Sequence, residues 1–458
     1  MKNMNNSTIA AISTAQGEGG IGIIRISGED AVTIADKVFT AVSGKKLSEM
    51  KGYTAAFGHI VNDNETVDEA IATVFRAPNS YTGENVVELS CHGGLFITRE
   101  VLRNVLDAGA TPALAGEFTK RAFLNGKLDL TEAEAVIDII SAKSRIAARS
   151  ALSAKEGALW KRIEKIKNEL VGTAAHFSAW ADYPEEDIEE VTDEKLKHKF
   201  ENWLGDLDNL LSTYDKGQTV KEGIDTVIAG KPNTGKSTLM NLLSGHDRSI
   251  VTDIPGTTRD VIEETVLVGD VILRLSDTAG IRETGDTVEK IGVDIAKNRL
   301  RTCGLVLAVF DGSRALDEDD IKLLANIGDV PSVGIINKTD LGVEIDSNFV
   351  KDKLKNVVEI SAKNGEGYDK LSEIISKIAG TEDFNPSEGI LANERQRNAV
   401  VNAKNSLTEA KNALEIGMTF DAVEVALEEA IESILELTGE RVSEVVVDNV
   451  FHNFCVGK

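Results

Sequence analysis

The segment Gly230-Lys231-Pro232-Asn233-Thr234-Gly235-Lys236-Ser237 sets two glycines, a lysine and a hydroxyl at the spacing of a phosphate-binding loop. An apolar strand pattern, Asp225 to Ala229, precedes it, and the helix start Thr238-Leu239-Met240 follows. That context lets backbone N–H groups turn inward around phosphates at a helix N-terminus. Lys236 is then placed to reach the β- and γ-phosphates, and Ser237 to ligate magnesium.

Four further pieces follow in order. Asp277-Thr278-Ala279-Gly280 ends a strand pattern, where the acid can hold magnesium through water and the Gly280 N–H can meet a γ-phosphate. Between it and the first motif lies Pro255-Gly256-Thr257-Thr258-Arg259-Asp260, whose hydroxyls can close over the metal when a γ-phosphate is present. Asn337-Lys338-Thr339-Asp340 ends another strand. The Asp340 carboxylate is acceptor-only and can take the ring N–H and exocyclic amine of guanine. Adenine would leave it unpaired, at a cost of roughly 1–3 kcal/mol. Ser361-Ala362-Lys363, after the strand-like Val357 to Ile360, can offer a backbone donor to the guanine oxygen. Each tetrad alone is weak. Together, in this order, the five pieces point to guanine nucleotide rather than adenine nucleotide.

One position departs from the small signalling GTPases. After Gly280 they carry a water-orienting glutamine, and here Ile281 stands in its place. Isoleucine cannot orient water, so another residue must, and some cation must replace an arginine finger.

These motifs need a frame. From about Glu222 to Gly380 strands and helices alternate, with Asp225–Ala229, Val271–Leu275, Leu305–Phe310 and Ser332–Ile336 reading as buried parallel strands. The pattern implies a doubly wound α/β sheet with ligand loops at the strand carboxyl ends. Residues 1 to about 124 mix short strands (Thr8–Ser13, Ile21–Ile26, Val86–Ser90) with glycine turns, an α+β texture. Leu128 to Lys216, and again Ala392 to Leu437, read as helical, the latter with an apolar stripe at Leu427, Ala430, Ile431, Ile434 and Leu435. The two helical stretches are expected to pack together, with the α/β region inserted between them.

Bulk properties narrow the function classes. The chain has 458 residues, a prior for about three domains. No run of about 18 apolar residues predicts a membrane span. The polar start, Met1 to Ser7, lacks a signal-peptide core. Cys91, Cys303 and Cys455 show no paired spacing, so reduced thiols and a cytoplasmic setting are expected. A formal net charge of −25 excludes RNA binding over the whole surface. An RNA partner needs a local basic patch or a second protein. The acidic run Glu185 to Glu190 reads as a solvated face.

The chain resembles the MnmE (TrmE) family of tRNA-modification GTPases along essentially its whole length. The resemblance rests on the Gly-Glu-Gly-Gly-Ile-Gly-Ile-Ile-Arg stretch ending at Arg25, on Cys91-His92-Gly93-Gly94, and on Glu117 to Lys127. It rests also on Thr252-Asp253-Ile254-Pro255-Gly256-Thr257-Thr258-Arg259-Asp260 and on the tail Phe454-Cys455-Val456-Gly457-Lys458, where Val replaces the usual Ile or Leu.

What the resemblance implies is specific. Residues 1–124 would be a folate-binding and dimerisation domain. Residues 125–221 and 381–458 would be the two parts of a helical domain, and 222–380 the inserted GTPase domain. The implied nucleotide set runs from Asn233 through Thr238, from Thr252 through Thr258, from Asp277 through Gly280, then Asn337, Lys338, Asp340 and Ser361 through Lys363. It thus includes Thr234, Gly235, Asp253, Pro255, Gly256, Thr278, Ala279 and Ala362. Ser237 and Thr258 would hold magnesium. A potassium ion would replace the arginine finger, held by Asn233, Thr252, Ile254 and Thr257; neutral oxygen donors suit such an ion. Glu289 would orient the water, with Lys236 on the phosphates. Arg25, Glu88, Lys127 and Lys458 would bind 5-formyltetrahydrofolate or a related folate. The protein would be a homodimer, joined to the FAD-containing flavoprotein MnmG as a heterotetramer. Together they would install an aminomethyl or carboxymethylaminomethyl group at C5 of the wobble uridine (position 34), contacting tRNA mainly through the complex.

Other readings are weaker. Gly17 to Gly22 fits a dinucleotide fingerprint, but a strand pattern rather than a helix follows it, so a glycine turn is expected. His92 reads as part of a turn before a helix, and Cys455 as a packing or site-lining residue. A ribosome-assembly switch that binds RNA without covalent chemistry would share the GTPase motifs, yet no basic RNA-binding module is visible. A folate-metabolism enzyme with a GTPase insert is a third reading.

Overall fold

A computed structural model of the chain describes residues 7–63, 65–182, 193–246, 263–276, 302–382 and 384–458. These divide into two compact units, residues 1–137 with 431–458, and residues 138–430.

In the first unit, seven strands form one sheet: β1 (Ile9–Ile12), β2 (Ile21–Ser27), β3 (Phe39–Ala41), β4 (Thr54–Asn62), β5 (Glu65–Phe75), β6 (Val86–His92) and β7 (Thr111–Pro112). Their order is β3-β4-β5-β6-β2-β1-β7, antiparallel except for the β1–β7 pair. Period-two alternation buries Ile24 and Ile26 of β2 and Val87, Leu89 and Cys91 of β6 in one core with helices Ala31–Val38 and Leu95–Asp107. Arg25 and Glu88 fall on the opposite face, directly across from each other in the register. A second cluster joins Leu130, Ala133 and Val136 to Val447, Phe451 and Phe454, so the end of the chain packs within this unit. Gly19 and Gly20 turn straight into β2, and no helix follows them.

The second unit holds the inserted sheet: β8 (Ile224–Ala229), β9 (Glu263–Val268), β10 (Val271–Ser276), β11 (Leu305–Asp311), β12 (Ser332–Asn337) and β13 (Asn356–Glu359). Their order is β13-β12-β11-β8-β10-β9. The first five are mutually parallel, four of them (β8, β10, β11 and β12) as the apolar runs predict. The edge strand β9 is antiparallel to β10 through a Gly269-Asp270 turn, an element the sequence reading did not contain. Helices Lys236–His246 and Tyr368–Ala379 cover one face, burying Leu239, Leu243, Leu371 and Ile375. Around the insert, helices Arg145–Lys155, Ala158–Asp182, Asp193–Leu211, Thr213–Glu222 and Glu394–Glu415 build a helical body. Asp193–Leu211 and Glu394–Glu415 lie side by side, with Lys404 Nζ 2.5 Å from Asp208 Oδ1. Among the described residues no helix is long and apolar enough to cross a membrane.

Candidate nucleotide and anion sites

Strands β8, β12 and β13 deliver their loops at carboxyl ends of one parallel sheet, where such folds bind ligands. Thr234 is buried and donates from Oγ1 to the Lys231 carbonyl at 3.0 Å, closing the loop upon itself. Gly235 has φ +95°, and a Cβ there would fall 2.2 Å from Asn337 Nδ2. Only glycine fits that approach. Asn233 adopts the left-handed region, with φ 65°, and is exposed. Lys236 Nζ donates to the carbonyls of Gly230 at 2.8 Å and Lys231 at 2.7 Å, which holds it across the mouth of the loop. Ser237 and Thr238 open the helix Lys236–His246 and are exposed.

Asn337 is the keystone between phosphate and base loops. Only 2% exposed, it donates from Nδ2 to Thr234 O at 2.9 Å and accepts at Oδ1 from the Ala362 N–H at 2.9 Å. Asp340 accepts at Oδ1 from the buried Ser361 Oγ at 2.8 Å. Its side chain is thereby fixed while the residue stays exposed, as a guanine-reading carboxylate requires. Lys363 is exposed beside buried Ala362. Thus Thr234, Gly235, Asn337, Ser361 and Ala362 share one hydrogen-bonded cradle. The glycine turns, the lysine and the helix N-terminus fit a polyphosphate, and the Ser361–Asp340 pair fits guanine.

Two supports escaped the sequence reading. Lys338, with φ 65°, donates from Nζ to Asp311 Oδ2 at 2.6 Å. Burial alone would raise the Asp311 pKa, but hydrogen bonds from Lys338 and Ser313 outweigh it and hold the carboxyl below its ordinary value. Lys231 pairs with Asp317, the N-cap of helix Glu318–Ile327, whose pKa drops to about 2 chiefly through that bond. Asp311 ends β11 and Asp317 lies in the loop after it, where no local motif announces them.

The segments containing Thr252 to Thr258, Asp277 to Gly280, Ile281 and Glu289 lie outside the described residues. So do Arg259 and the acidic run from Glu185 to Glu190.

In the first unit, Arg25 donates from Nε to Glu88 Oε1 at 2.9 Å and from Nη1 to Gly457 O at 3.4 Å. Its guanidinium lies 5.4 Å from the Tyr81 ring centroid and 5.6 Å from that of Phe118. Ser13 Oγ donates to the same Gly457 carbonyl at 2.9 Å. Gly457, at φ +97°, sits so close that a Cβ would lie 2.3 Å from Ile12 O. Lys458 thereby reaches the cluster: burial, then the charge of Arg25, lowers its pKa, while Glu88 pulls the other way. Two cations against one carboxylate fit an anionic ligand group. Lys127 stands apart, donating to Pro78 O at 3.2 Å near the loop that carries Tyr81. Cys455 is exposed, and its carbonyl accepts from the Gly116 N–H at 3.4 Å. His92 ends β6 ahead of the Gly93-Gly94 turn, with Nδ1 2.7 Å from Asp68 Oδ1.

Comparisons with known proteins show the family. The family model described as the GTP-binding protein TrmE N-terminus matches residues 8–127, and the MnmE helical domain model matches residues 130–455. The tRNA modification GTPase MnmE of Clostridioides difficile (strain 630) is 44% identical over 456 residues, 99% of each chain. That of Alkaliphilus oremlandii (strain OhILAs) is 40% identical over 458 residues, again 99% of each. Among solved structures, the G domain of the T. maritima FeoB iron transporter is 27% identical over 34% of this chain and 98% of its own, with a TM-score of 0.27. With its motifs in a nucleotide cradle and near-complete coverage by these relatives, the chain belongs to the MnmE (TrmE) family of tRNA modification GTPases.

Proposed function

We propose that GTP hydrolysis by this chain drives addition of an aminomethyl or carboxymethylaminomethyl group to C5 of the wobble uridine of certain tRNAs. It works as a homodimer, in the cytoplasm, with the flavoprotein MnmG, which carries FAD. The 44% identity spanning 99% of both chains is the observation that carries this reading. The domain limits are those of the sequence reading: 1–124, 125–221, 222–380 and 381–458.

In the nucleotide site, Lys236 and the loop N–H groups hold the phosphates, Ser361 braces Asp340 against guanine, and the Ser361-Ala362-Lys363 backbone offers a donor to the guanine oxygen. Ser237 and Thr258 would hold magnesium, which supplies charge on the phosphate oxygens. Asn233, Thr252, Ile254 and Thr257 would hold potassium, which supplies positive charge where an arginine finger would otherwise act. Glu289 orients the attacking water, since Ile281 cannot. Support for Asn233 comes from its exposed side chain and left-handed backbone at the lip of the loop.

Arg25, Glu88 and Lys458, with Lys127, would bind the folate that supplies the one-carbon unit. Arg25 and Lys458 pair with its carboxylates, and Glu88 keeps Arg25 oriented. Support comes from the Arg25–Glu88 bond and the Gly457 carbonyl that anchors the tail beside it.

Analysis of wobble-uridine nucleosides in tRNA from a strain lacking the gene tests the assignment. Loss of the C5 group is expected; intact modification overturns it.

A further inference from the structure

Between residues 143 and 167 eight Lys or Arg stand against only Glu156 and Glu164, in a chain of formal net charge −25. They lie in the second unit, mostly on the consecutive helices Arg145–Lys155 and Ala158–Asp182. The first helix buries Ala147, Ser150 and Ala151; the second buries Leu159, Ile163, Ile166 and Leu170. Lys143, Arg145, Arg149, Lys155 and Lys161 are exposed. Arg145 and Arg149 are four residues apart and share a helix face.

Lys165 reaches Asp206 at 3.6 Å and Arg162 the Gly389 carbonyl at 2.8 Å, but the exposed cations before them stand without an acid. Among the described residues Lys143, Arg145, Arg149 and Lys155 make no side-chain ion pair or hydrogen bond, and Lys161 reaches only the Glu156 carbonyl at 3.4 Å. Elsewhere in the same unit some lysines find acids, among them Lys221 with Asp138 at 2.7 Å, Lys404 with Asp208 at 2.5 Å and Lys411 with Glu201 at 3.6 Å. Like charges four apart repel and weaken their own helix. In a chain with 75 acidic and 50 basic side chains, these exposed cations form a local basic patch open to an anionic partner.

We propose that this face docks the phosphate backbone of an RNA, a surface that rests on the tRNA-modification reading. A protein partner would be anchored by a central aromatic or aliphatic cluster. Here Leu152, 48% exposed, is the large apolar side chain offered between the cations. Phosphates need only charge and reach, and such contacts position a nucleic acid without reading sequence. With few cations the contact is weak and strongly salt-dependent. It therefore supplements the partner's grip on tRNA.

The test uses the full chain and a fluorescently labelled tRNA transcript, titrated from about 50 to 200 mM KCl, the span over which phosphate contacts are lost. The variant combines Arg145→Glu, Arg149→Glu and Lys155→Glu. Its tRNA affinity should fall at least ~10-fold at the lowest salt, and its log–log salt slope should flatten by about 2–3, at 0.7–0.9 per lost phosphate contact. GTP hydrolysis should be unchanged. A control with the same charge change on the exposed Lys322, Lys351 and Lys370 should stay near wild type. Equal losses in both variants, an unaffected patch variant, or no binding by the wild type at the lowest salt would overturn the inference. The wobble-uridine analysis reads separately from all three, so either conclusion can fail alone.

Discussion

The side-chain amide of Asn337 donates to the carbonyl oxygen of Thr234 at 2.9 Å, so one buried group ties the base-reading loop to the phosphate loop. The same side chain accepts from Ala362 N–H at 2.9 Å. Replacing it with alanine strands two backbone groups at about 1–3 kcal/mol each where they stay buried. Asn337→Ala should therefore weaken binding of a fluorescent GTP analogue by at least ~10-fold, at about 1.4 kcal/mol per decade. Wild-type affinity in that variant would show that the tie is incidental.

Asp340 reads guanine only as a carboxylate. Asn in its place offers a donor where guanine also donates, and it matches the xanthine oxygen instead. Asp340→Asn should raise KM for GTP at least ~10-fold and lower it for XTP. Retained preference for GTP over XTP would move base recognition elsewhere.

Replacing potassium by sodium should slow GTP hydrolysis markedly, because the smaller ion sits poorly among the proposed oxygen donors. Asn233→Ala should slow hydrolysis in potassium and remove the difference between the two ions. If the wild type turns over equally fast in both salts, Asn233 has no such role.

His92 offers a pH test in the first unit. Its hydrogen bond to Asp68, and then that residue's charge, raise its pKa above the ordinary 6.5. A raised histidine contributes stability that is fully present below the unfolded pKa and is lost as pH rises through the folded one. Its NMR titration should have a midpoint above 6.5, and Asp68→Asn should bring that midpoint down. An unchanged midpoint in the variant would break the link.

The phosphate loop and the Asn337–Asp340 and Ser361–Lys363 segments were legible as candidates because their chemistry is local: glycines, a lysine and an acid act through neighbours in sequence. Buried β8, β10, β11 and β12 were legible as continuous apolar runs. Strands β4 and β5 were not, since Thr54-Ala55-Ala56 and the mixed exposed face of β5 lack a strong β signal. Strand β9 opens on Glu263-Glu264 at a sheet edge, charges that mask the short Thr265-Val266-Leu267-Val268 run behind them. Long-range partners were invisible for a different reason. The Arg25–Glu88 register, the Asp311–Lys338 pair and the Gly457 anchor depend on which strands neighbour each other, which no local pattern encodes. The family resemblance supplied Arg25, Glu88 and Lys458; residue types alone would leave them as surface charges.

The central claim is that GTP hydrolysis at this site powers tRNA modification. A strain lacking the gene should be complemented with the wild type and, separately, with Lys236→Ala, and its wobble-uridine nucleosides quantified. The wild type should restore the C5 group, and Lys236→Ala should leave it absent despite equal protein levels. Full restoration by Lys236→Ala would contradict the account.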